Sequence, residues 1–403
     1  MPNIEKKILS WVDACLPLIV ALIFTVMGIW ARMPMLDVVS GDSRFFLLPW
    51  YEKIRENGLS TQVGNYNILY QMMIFLLTRL PLKPLHAYKF LSILFDYLLA
   101  AGVGLLTAEM GKDGKLWKAV LAYGAALLSP IVILNSAAWA QCDSIFCCFA
   151  VFALLALAKE RWSMSMILMG LAFSFKLQAV FLLPVFLFVY YQRRRFTVLQ
   201  FALIPATMIL AGLPLVFFGR NILDIFTIYS DQTGTYPNMA LNYPSVWLLL
   251  AAERNAEQYG LLKSMAIFLT VAILAVLMIR WLRRKVEATG QNLIRMAFLL
   301  AYTCVLFLPA MHERYGYPYE ILAIVLAVLQ PKTVPLCAGL IGISLCTYGS
   351  YLFDTESFRL VTLTVLNLLV YCGYMLTLNR QMEARKDFPD NLTGEPEESG
   401  AER

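Results

Sequence analysis

Charged residues and histidine are scarce in this chain. Of its 403 residues, 15% are charged and 60% are apolar, whereas soluble domains average about 25% charged and about 45–50% apolar residues. A soluble fold is therefore excluded, and the composition predicts an integral membrane protein. The two histidines, His86 and His312, are too few for a histidine-rich zinc site, and no metal or other cofactor is predicted.

Disulfides and nucleic-acid binding are also disfavoured. The eight cysteines lie in or beside apolar runs, which is typical of small buried residues rather than of a disulfide framework. The net charge of +6 comes from short basic clusters between apolar runs, whereas a nucleic-acid surface needs a continuous basic stripe. Lys6 and Lys7 precede a long apolar run without a small-residue cleavage site, so we expect a retained first helix.

Apolar runs predict an all-α, polytopic membrane protein of about 12 transmembrane helices. Crossing the ~30 Å hydrocarbon layer takes about 20 apolar residues in a helix, which also satisfies every backbone polar group. The apolar segment 67–81 is shorter and ends at Arg79 and Pro81, so we predict a re-entrant or interfacial piece there. The predicted spans are 11–31, 86–108, 116–136, 143–158, 162–175, 177–191, 197–218, 259–281, 291–310, 316–330, 333–350 and 357–378.

Basic clusters set the predicted orientation through the positive-inside rule. If 67–81 does not cross, the clusters all face the cytoplasm; they lie at 6–7, 112–115, 159–161, 193–195, 280–285, 332 and from 380 onward. The opposite face then receives the connections 32–85, 219–258 and 351–356 and the turns near 137–142, 176 and 311–315. Residues 1–379 are predicted to form a single transmembrane domain, and the polar residues 380–403 a disordered cytoplasmic tail.

Polar side chains collect on the predicted non-cytoplasmic face, where they are the first candidates for function. We expect Gly41 to permit a tight backbone that places Asp42 at the start of an amphipathic segment. Alternatively, Asp42 or Ser40 caps a helix. Asp143, where two predicted spans meet, could equally cap the next helix. Lys176 either snorkels to the interface or meets an anion.

Two further groups of polar residues lie on the same face. A short connection between spans does not require a polar cluster, so a function is favoured for His312, Glu313, Arg314 and Tyr315. The long connection either shapes a polar pocket or is a solvated loop, and it carries Asp231, Gln232, Asn238, Asn242, Tyr243 and Trp247.

In the second span, Lys89 and Asp96 lie seven residues apart on one helix face, where they either pair or reach the pocket.

Five short motifs occur in order along the chain. They are Gly41-Asp42 with Trp50 eight residues on, Asn65-Tyr66-Asn67, Trp139-Ala140-Gln141-Cys142-Asp143, Lys176 and Gln178 with Pro184, and His312-Glu313-Arg314. Together they resemble the GT-C superfamily of membrane glycosyltransferases, which use polyprenyl-phosphate-linked sugars as donors. The nearest likeness is to the dolichyl-phosphate-glucose-dependent glucosyltransferases and their bacterial relatives, over about residues 11–320. Trp139 stands where that group has histidine, and Asp143 where it has asparagine.

The resemblance implies a GT-C fold with interfacial or re-entrant helices in the first external loop. It implies transfer, with inversion, of a glucose- or mannose-type hexose from a polyprenyl-phosphate-linked donor to a lipid-linked or surface glycan acceptor. Asp42 is then the general base, and Lys176, His312 and Arg314 bind the donor phosphate. Further substrate contacts are expected from Asp37, Tyr66, Trp139, Gln141, Asp143, Gln178, Glu313, Tyr315 and Asn242.

The sequence also bears on the membrane in which the protein resides and on an alternative function. A bacterial cytoplasmic membrane is favoured over the endoplasmic reticulum because the loops are short and the likeness to bacterial relatives is greater. The alternative function is a transporter or flippase for a lipid-linked saccharide. Such proteins tend to show two similar halves, and no internal repeat is apparent in this sequence.

Overall fold

The chain folds into α-helices joined by turns and short 3₁₀ and π segments. The computed structural model describes residues 3–60, 62–64, 66–234, 237–250 and 256–382, and it confirms an all-helical fold. Asn65 and most of the predicted tail, 383–403, lie outside the described residues. The helices are α1 (Asn3–Arg32), α2 (Leu48–Asn57), α3 (Ile68–Leu77), α4 (Pro84–Met110), α5 (Lys115–Leu127), α6 (Pro130–Ile133), α7 (Asp143–Ala158), α8 (Trp162–Phe175), α9 (Leu183–Arg193), α10 (Leu203–Gly212), α11 (Asp224–Gly234), α12 (Trp247–Leu250), α13 (Ala256–Arg283), α14 (Gly290–Phe307), α15 (Tyr317–Leu329), α16 (Val334–Phe353) and α17 (Leu360–Gln381).

Within the described residues, seven helical stretches are long and apolar enough to cross a membrane, which supports an integral membrane protein. They are 5–35, 84–110, 198–218, 258–283, 290–307, 331–353 and 360–381. An eighth would consist of 115–127 and 130–138, which meet at an angle of 48°.

Each of the twelve predicted spans has a helical counterpart in the structure. However, 143–158, 162–175, 177–193 and 317–329 form helices of 13 to 17 residues. At ~1.5 Å per residue they are roughly 20–25 Å long, which is less than the hydrocarbon thickness. The total of twelve crossings therefore stays a prediction.

The first connection, between α1 and α4, contains two short helices. α2 and α3 have 10 residues each, so each is roughly 15 Å long, about half of the hydrocarbon thickness. The side chain of Asn67 caps α3 by accepting a hydrogen bond from the backbone N of Ile68 at 2.7 Å. Segment 67–81 is thus too short for a straight crossing, and its re-entrant or interfacial placement stays a prediction.

The centre of the bundle is formed by α7, α14 and α15, whose side chains are almost all buried. By contrast, α1, α10 and α13 expose many large apolar side chains. Lipid tails are as apolar as leucine, so such a surface is stable in a bilayer. Five of the eight cysteines are buried and all eight are unpaired. Their interpretation as buried hydrophobic residues is therefore right for five and wrong for the exposed Cys372.

Two buried cations hold the end of α1 against α4. Arg32 pairs with Asp96, with Nη2 2.8 Å from Oδ2, and Asp96 also accepts a hydrogen bond from Ser136 at 2.5 Å. The Lys89 ammonium instead donates to the carbonyl oxygens of Met35, Leu36 and Val38 at 2.7, 3.0 and 2.6 Å. The suggested pair between Lys89 and Asp96 is therefore wrong, because each has a nearer partner.

Contacts between distant loops define two ends of the bundle. At one end, which we name the basic end, Lys159 lies 3.5 Å from Glu109, Arg195 lies 2.9 Å from Glu160, and Gln192 donates to the carbonyl of Val286. The other end contains the connections that follow α1, α8, α14 and α16, and that precede α4, α7, α15 and α17. Most of the predicted site residues lie at this second end.

Candidate active site

A cavity of about 800 Å³ opens at the end of the bundle opposite the basic end. Connections that are far apart in sequence contribute its walls, because the helices alternate in direction and return their ends to the same side. Ten of the thirteen predicted site residues line it. They are Asp42, Tyr66, Gln141, Lys176, Gln178, Asn242, His312, Glu313, Arg314 and Tyr315.

Asp42 is held by three hydrogen-bond donors. Its Oδ2 accepts from Trp139 Nε1 at 2.9 Å and from Gln141 Nε2 at 2.8 Å. Its Oδ1 accepts from the hydroxyl of Tyr351 at 2.6 Å. Arg314 Nη1 lies 3.8 Å from Oδ2, too far for a hydrogen bond but close enough for a strong charge interaction. These contacts fix the carboxylate in the cavity wall with 13% of its side chain exposed.

The capping alternative at this position is resolved in favour of Ser40. Its Oγ accepts a hydrogen bond from the backbone N of Ser43 at 3.1 Å, while the Asp42 side chain makes no cap. The expectation that Gly41 permits a tight backbone is wrong. Its φ is not left-handed, and the space where a Cβ would lie is open. The tight approach is at Gly64, with φ +67°, where an added Cβ would lie 2.5 Å from the Trp50 ring.

Trp139 and Gln141 reach the same carboxylate because the backbone turns sharply between them. Ala140 has φ +63°, a left-handed conformation that costs a non-glycine residue about 1–3 kcal/mol and is concentrated at functional sites. The hydroxyl of Tyr66 donates to Gln141 Oε1 at 2.7 Å. This bond orients the amide so that its nitrogen faces Asp42. Trp139 itself lies behind the cavity wall.

Lys176 is a buried cation rather than a snorkelling one. Its side chain is 2% exposed and its ammonium donates to Asp143 Oδ1. Asn135 Nδ2 donates to the other oxygen at 2.9 Å, and Arg314 Nε lies 3.8 Å from it. The Asp143 carboxylate is thus occupied by side chains and makes no helix cap. Asp143 does not line the cavity. It lies behind the wall, next to Lys176 and Arg314, which do line it.

Residues 312–314 form a second ion cluster between α14 and α15. Glu313 Oε1 lies 2.9 Å from Arg314 Nη1, and its Oε2 lies 3.8 Å from His312 Nδ1. Burial raises the pKa of Glu313, but the neighbouring His312 and Arg314 outweigh burial and bring the pKa to about 2. The Arg314 guanidinium also lies 5.2 Å from the Trp139 ring centroid. Glu313 therefore stays ionised and keeps the His312 and Arg314 side chains in place.

The long connection 219–258 shapes the cavity as well. Gln232 and Asn242 line it, which favours the pocket alternative for these two residues. Tyr243 is in the core, where its hydroxyl lies 2.6 Å from that of Tyr319. Trp247 donates to the carbonyl of Phe307 at 2.7 Å.

Asp37, unlike Trp139 and Asp143, neither lines the cavity nor bonds to a residue that does. Its side chain is 92% exposed, and its Oδ1 lies 3.0 Å from His86 Nε2. Asp37 lies in the turn that follows α1, whereas Asp42 lies at the start of the next helical segment, so the two carboxylates face different surroundings. The expectation that Asp37 contacts substrate is not supported by this placement.

Tyr351 and Lys263 are among the cavity residues that the sequence did not predict. Tyr351 lies near the end of α16, and Lys263 lies on α13, 5.8 Å from the Tyr259 ring centroid. A signal existed for Tyr351, since it follows the predicted span 333–350 directly on the polar face. Lys263 falls inside a predicted span, and only its charge could have drawn attention to it.

The arrangement suits transfer of a group away from a phosphate. A carboxylate with a fixed orientation can accept a proton. Clustered ammonium, guanidinium and imidazole groups can stabilise negative charge that develops nearby. The surrounding wall is largely apolar, with Phe46, Trp50 and Ile267 beside the polar residues.

Comparison with known proteins agrees with this chemistry. The family model "Glycosyltransferase family 87" matches residues 66–309, more than half of the chain, so that Asp42 and Arg314 lie just outside the match. The chain is also similar to GPI mannosyltransferase 1 of Saccharomyces cerevisiae, with 30% identity over 111 residues. That similarity covers 27% of this chain and 26% of the yeast protein, about a quarter of each. The chain belongs to glycosyltransferase family 87, of the GT-C type.

Proposed function

We propose that the protein transfers a hexose from a polyprenyl-phosphate-linked donor to a hydroxyl of a lipid-linked or surface glycan, on the non-cytoplasmic face of the membrane. The yeast relative is named a mannosyltransferase, so mannose is the sugar to test first, ahead of glucose. Transfer in one displacement step inverts the configuration at the sugar carbon.

The observation that carries this proposal is the short distance between Asp42 and Arg314. The two residues are far apart in the sequence, yet Arg314 Nη1 lies 3.8 Å from Asp42 Oδ2. A carboxylate that can accept a proton and a guanidinium that can bind an anion therefore line the same cavity. The attacking oxygen and the departing phosphate of a glycosyl transfer need this combination.

In the proposed reaction, Asp42 accepts the proton of the acceptor hydroxyl while that oxygen forms a bond to the anomeric carbon. The bond from the anomeric carbon to the phosphate oxygen breaks, and its electron pair stays on the phosphate. Lys176, His312 and Arg314 stabilise the resulting charge. Arg314 suits a bidentate contact and Lys176 a point-charge contact.

The choice of a lipid-linked donor rests on the apolar part of the cavity and on the predicted orientation. Phe46, Trp50, Val180, Ile267 and Leu308 line the cavity beside the ionic groups, which suits a phosphate attached to a hydrocarbon chain. Under the positive-inside rule the basic end faces the cytoplasm. Nucleotide sugars are cytoplasmic, so a transferase with its cavity on the other side needs a donor already loaded on lipid.

The test is transfer of radiolabelled mannose from mannosyl-phosphoryl-polyprenol by the purified full-length protein in detergent. Asp42→Asn should abolish transfer while leaving the thermal midpoint unchanged. Asp37→Asn, in the same connection but exposed, is the matched control and should keep wild-type activity. Transfer by Asp42→Asn at the wild-type rate would refute the assignment of the base. Movement of intact lipid-linked saccharide across vesicles, without a new glycosidic bond, would favour a flippase instead.

A further inference from the structure

Tyr351 contacts two residues of the candidate active site at once. Its ring stacks on Trp139, with centroids 4.7 Å apart and planes at 25°. Its hydroxyl donates to Asp42 Oδ1 at 2.6 Å. The side chain is also part of the cavity wall. It comes from α16, outside the segment that the family model matches.

The hydrogen bonds of Asp42 leave little room for another donor. An ionised carboxylate has about four lone-pair sites, two on each oxygen. Trp139 and Gln141 fill the two sites on Oδ2, and Tyr351 fills one on Oδ1. Arg314, at 3.8 Å from Oδ2, contributes charge but fills no site. With the donors of the described residues counted, one acceptor site therefore remains, and it is on Oδ1.

We propose that Tyr351 is a positioning residue for Asp42, which leaves a single proton-accepting site on Oδ1 for the attacking hydroxyl of the acceptor. This inference rests on the proposed function of Asp42 as the base. The stack on Trp139 fixes the phenol ring, and the ring fixes its hydroxyl. Because Trp139 binds Asp42 as well, the three side chains hold one another in place.

Removing the Tyr351 hydroxyl should open a second site on Oδ1. The acceptor hydroxyl can then bind in an orientation that is not in line with the anomeric carbon, and misplacement by about 1 Å can cost about 10²-fold in rate. Loss of one hydrogen bond to a charged group corresponds to about 10–100-fold. We therefore expect Tyr351→Phe to lower kcat by about 10–100-fold, with the KM for the donor changed less than about threefold.

The open site should also admit water. Water bound there can lose its proton to Asp42 while its oxygen bonds to the anomeric carbon, which releases free sugar and polyprenyl phosphate. The ratio of hydrolysis to transfer should therefore rise in Tyr351→Phe. This ratio does not depend on the fraction of protein that is folded, so it remains informative even if the variant is less stable.

Tyr348 provides a matched control on the same helix. It lies one turn before Tyr351, and its ring also contacts Trp139, edge-on, with centroids 5.1 Å apart. Its hydroxyl, however, is not among the described donors to Asp42, and it does not line the cavity. Tyr348→Phe should therefore retain the wild-type kcat and the wild-type ratio of hydrolysis to transfer.

The experiment compares the wild type, Tyr351→Phe, Tyr348→Phe and Asp42→Asn as full-length proteins in detergent. Donor and acceptor concentrations are varied separately, and free and transferred radiolabelled mannose are both counted. A lower kcat with a higher hydrolysis ratio in Tyr351→Phe alone supports the inference. An unchanged ratio, or an equal effect of Tyr348→Phe, overturns it and leaves the proposed function intact. Activity in Asp42→Asn would instead overturn the proposed function.

Discussion

The buried pair of Lys176 and Asp143 allows stability and substrate binding to be separated by a double-mutant cycle. The two side chains are 2% and 1% exposed, so neither charge is hydrated by bulk water. Breaking such a pair by removing one partner costs about 3–5 kcal/mol, because the remaining charge is buried alone. Replacing both partners by neutral residues of similar volume is often neutral or even stabilising.

Asp143→Asn should therefore lower the free energy of unfolding by about 3–5 kcal/mol. It should also lower transfer, since the Lys176 ammonium loses the carboxylate that holds it in place at the cavity. In Asp143→Asn/Lys176→Met both charges are absent, so most of the stability should return. Transfer should stay about 10²–10³-fold below wild type, by analogy with the loss of one donor that stabilises a developing anion.

Thermal unfolding in detergent and radiolabel transfer are measured for the wild type, both single variants and the double variant. An Asp143→Asn protein as stable as wild type would refute the energetic role of the ion pair. A double variant that transfers mannose at the wild-type rate would remove Lys176 from the phosphate site. Thermal unfolding reports the stability of the protein and radiolabel transfer reports its activity, so either result can occur without the other.

Two further predictions concern the buried cations at the end of α1. Lys89→Met leaves the carbonyl oxygens that this ammonium binds without a donor, so both the thermal midpoint and kcat should fall. Lys89→Arg should recover part of each. A Met variant as stable as wild type would show that Lys89 does not stabilise this segment. Arg32→Met should lower the free energy of unfolding by about 3–5 kcal/mol. Arg32→Met/Asp96→Asn should lower it by less than the sum of the two single changes. Thermal unfolding of the wild type, the two single variants and the double variant measures both effects, and additive changes would show that the pair does not couple.

The positions of the helices could be predicted from the sequence because apolar runs and their interruptions are local features. Asp143–Ala158 and Trp162–Phe175 begin and end where the sequence predicted, since polar residues interrupt the apolar run at both places. The number of crossings could not be predicted in the same way. A 13-residue apolar helix such as Tyr317–Leu329 can be a tilted crossing, part of a broken one, or a buried core helix, and its local sequence is the same in each case.

The partners of the site residues were harder to predict than the residues themselves. The sequence shows that Asp143 and Lys176 are polar groups at the ends of apolar helices, and this was enough to select both. It does not show that they face each other, because a contact between α7 and the end of α8 depends on how the helices pack. Asp143 was accordingly expected to contact substrate, whereas the structure places it behind Lys176.

Asp37 and Asp42 show why long-range contacts decide which carboxylate can act. Both belong to the same short connection and have the same chemistry, yet one side chain is 92% exposed and the other 13%. Between α1 and Asp42, the backbone is held by Lys89 of α4 through the carbonyl of Val38 and two others. The backbone that leads to Asp42 is therefore held by a helix that begins some forty residues later. A motif of two or three residues can mark the candidate base, but the donors that fix its carboxylate, Trp139, Gln141 and Tyr351, are brought to it only in the folded chain.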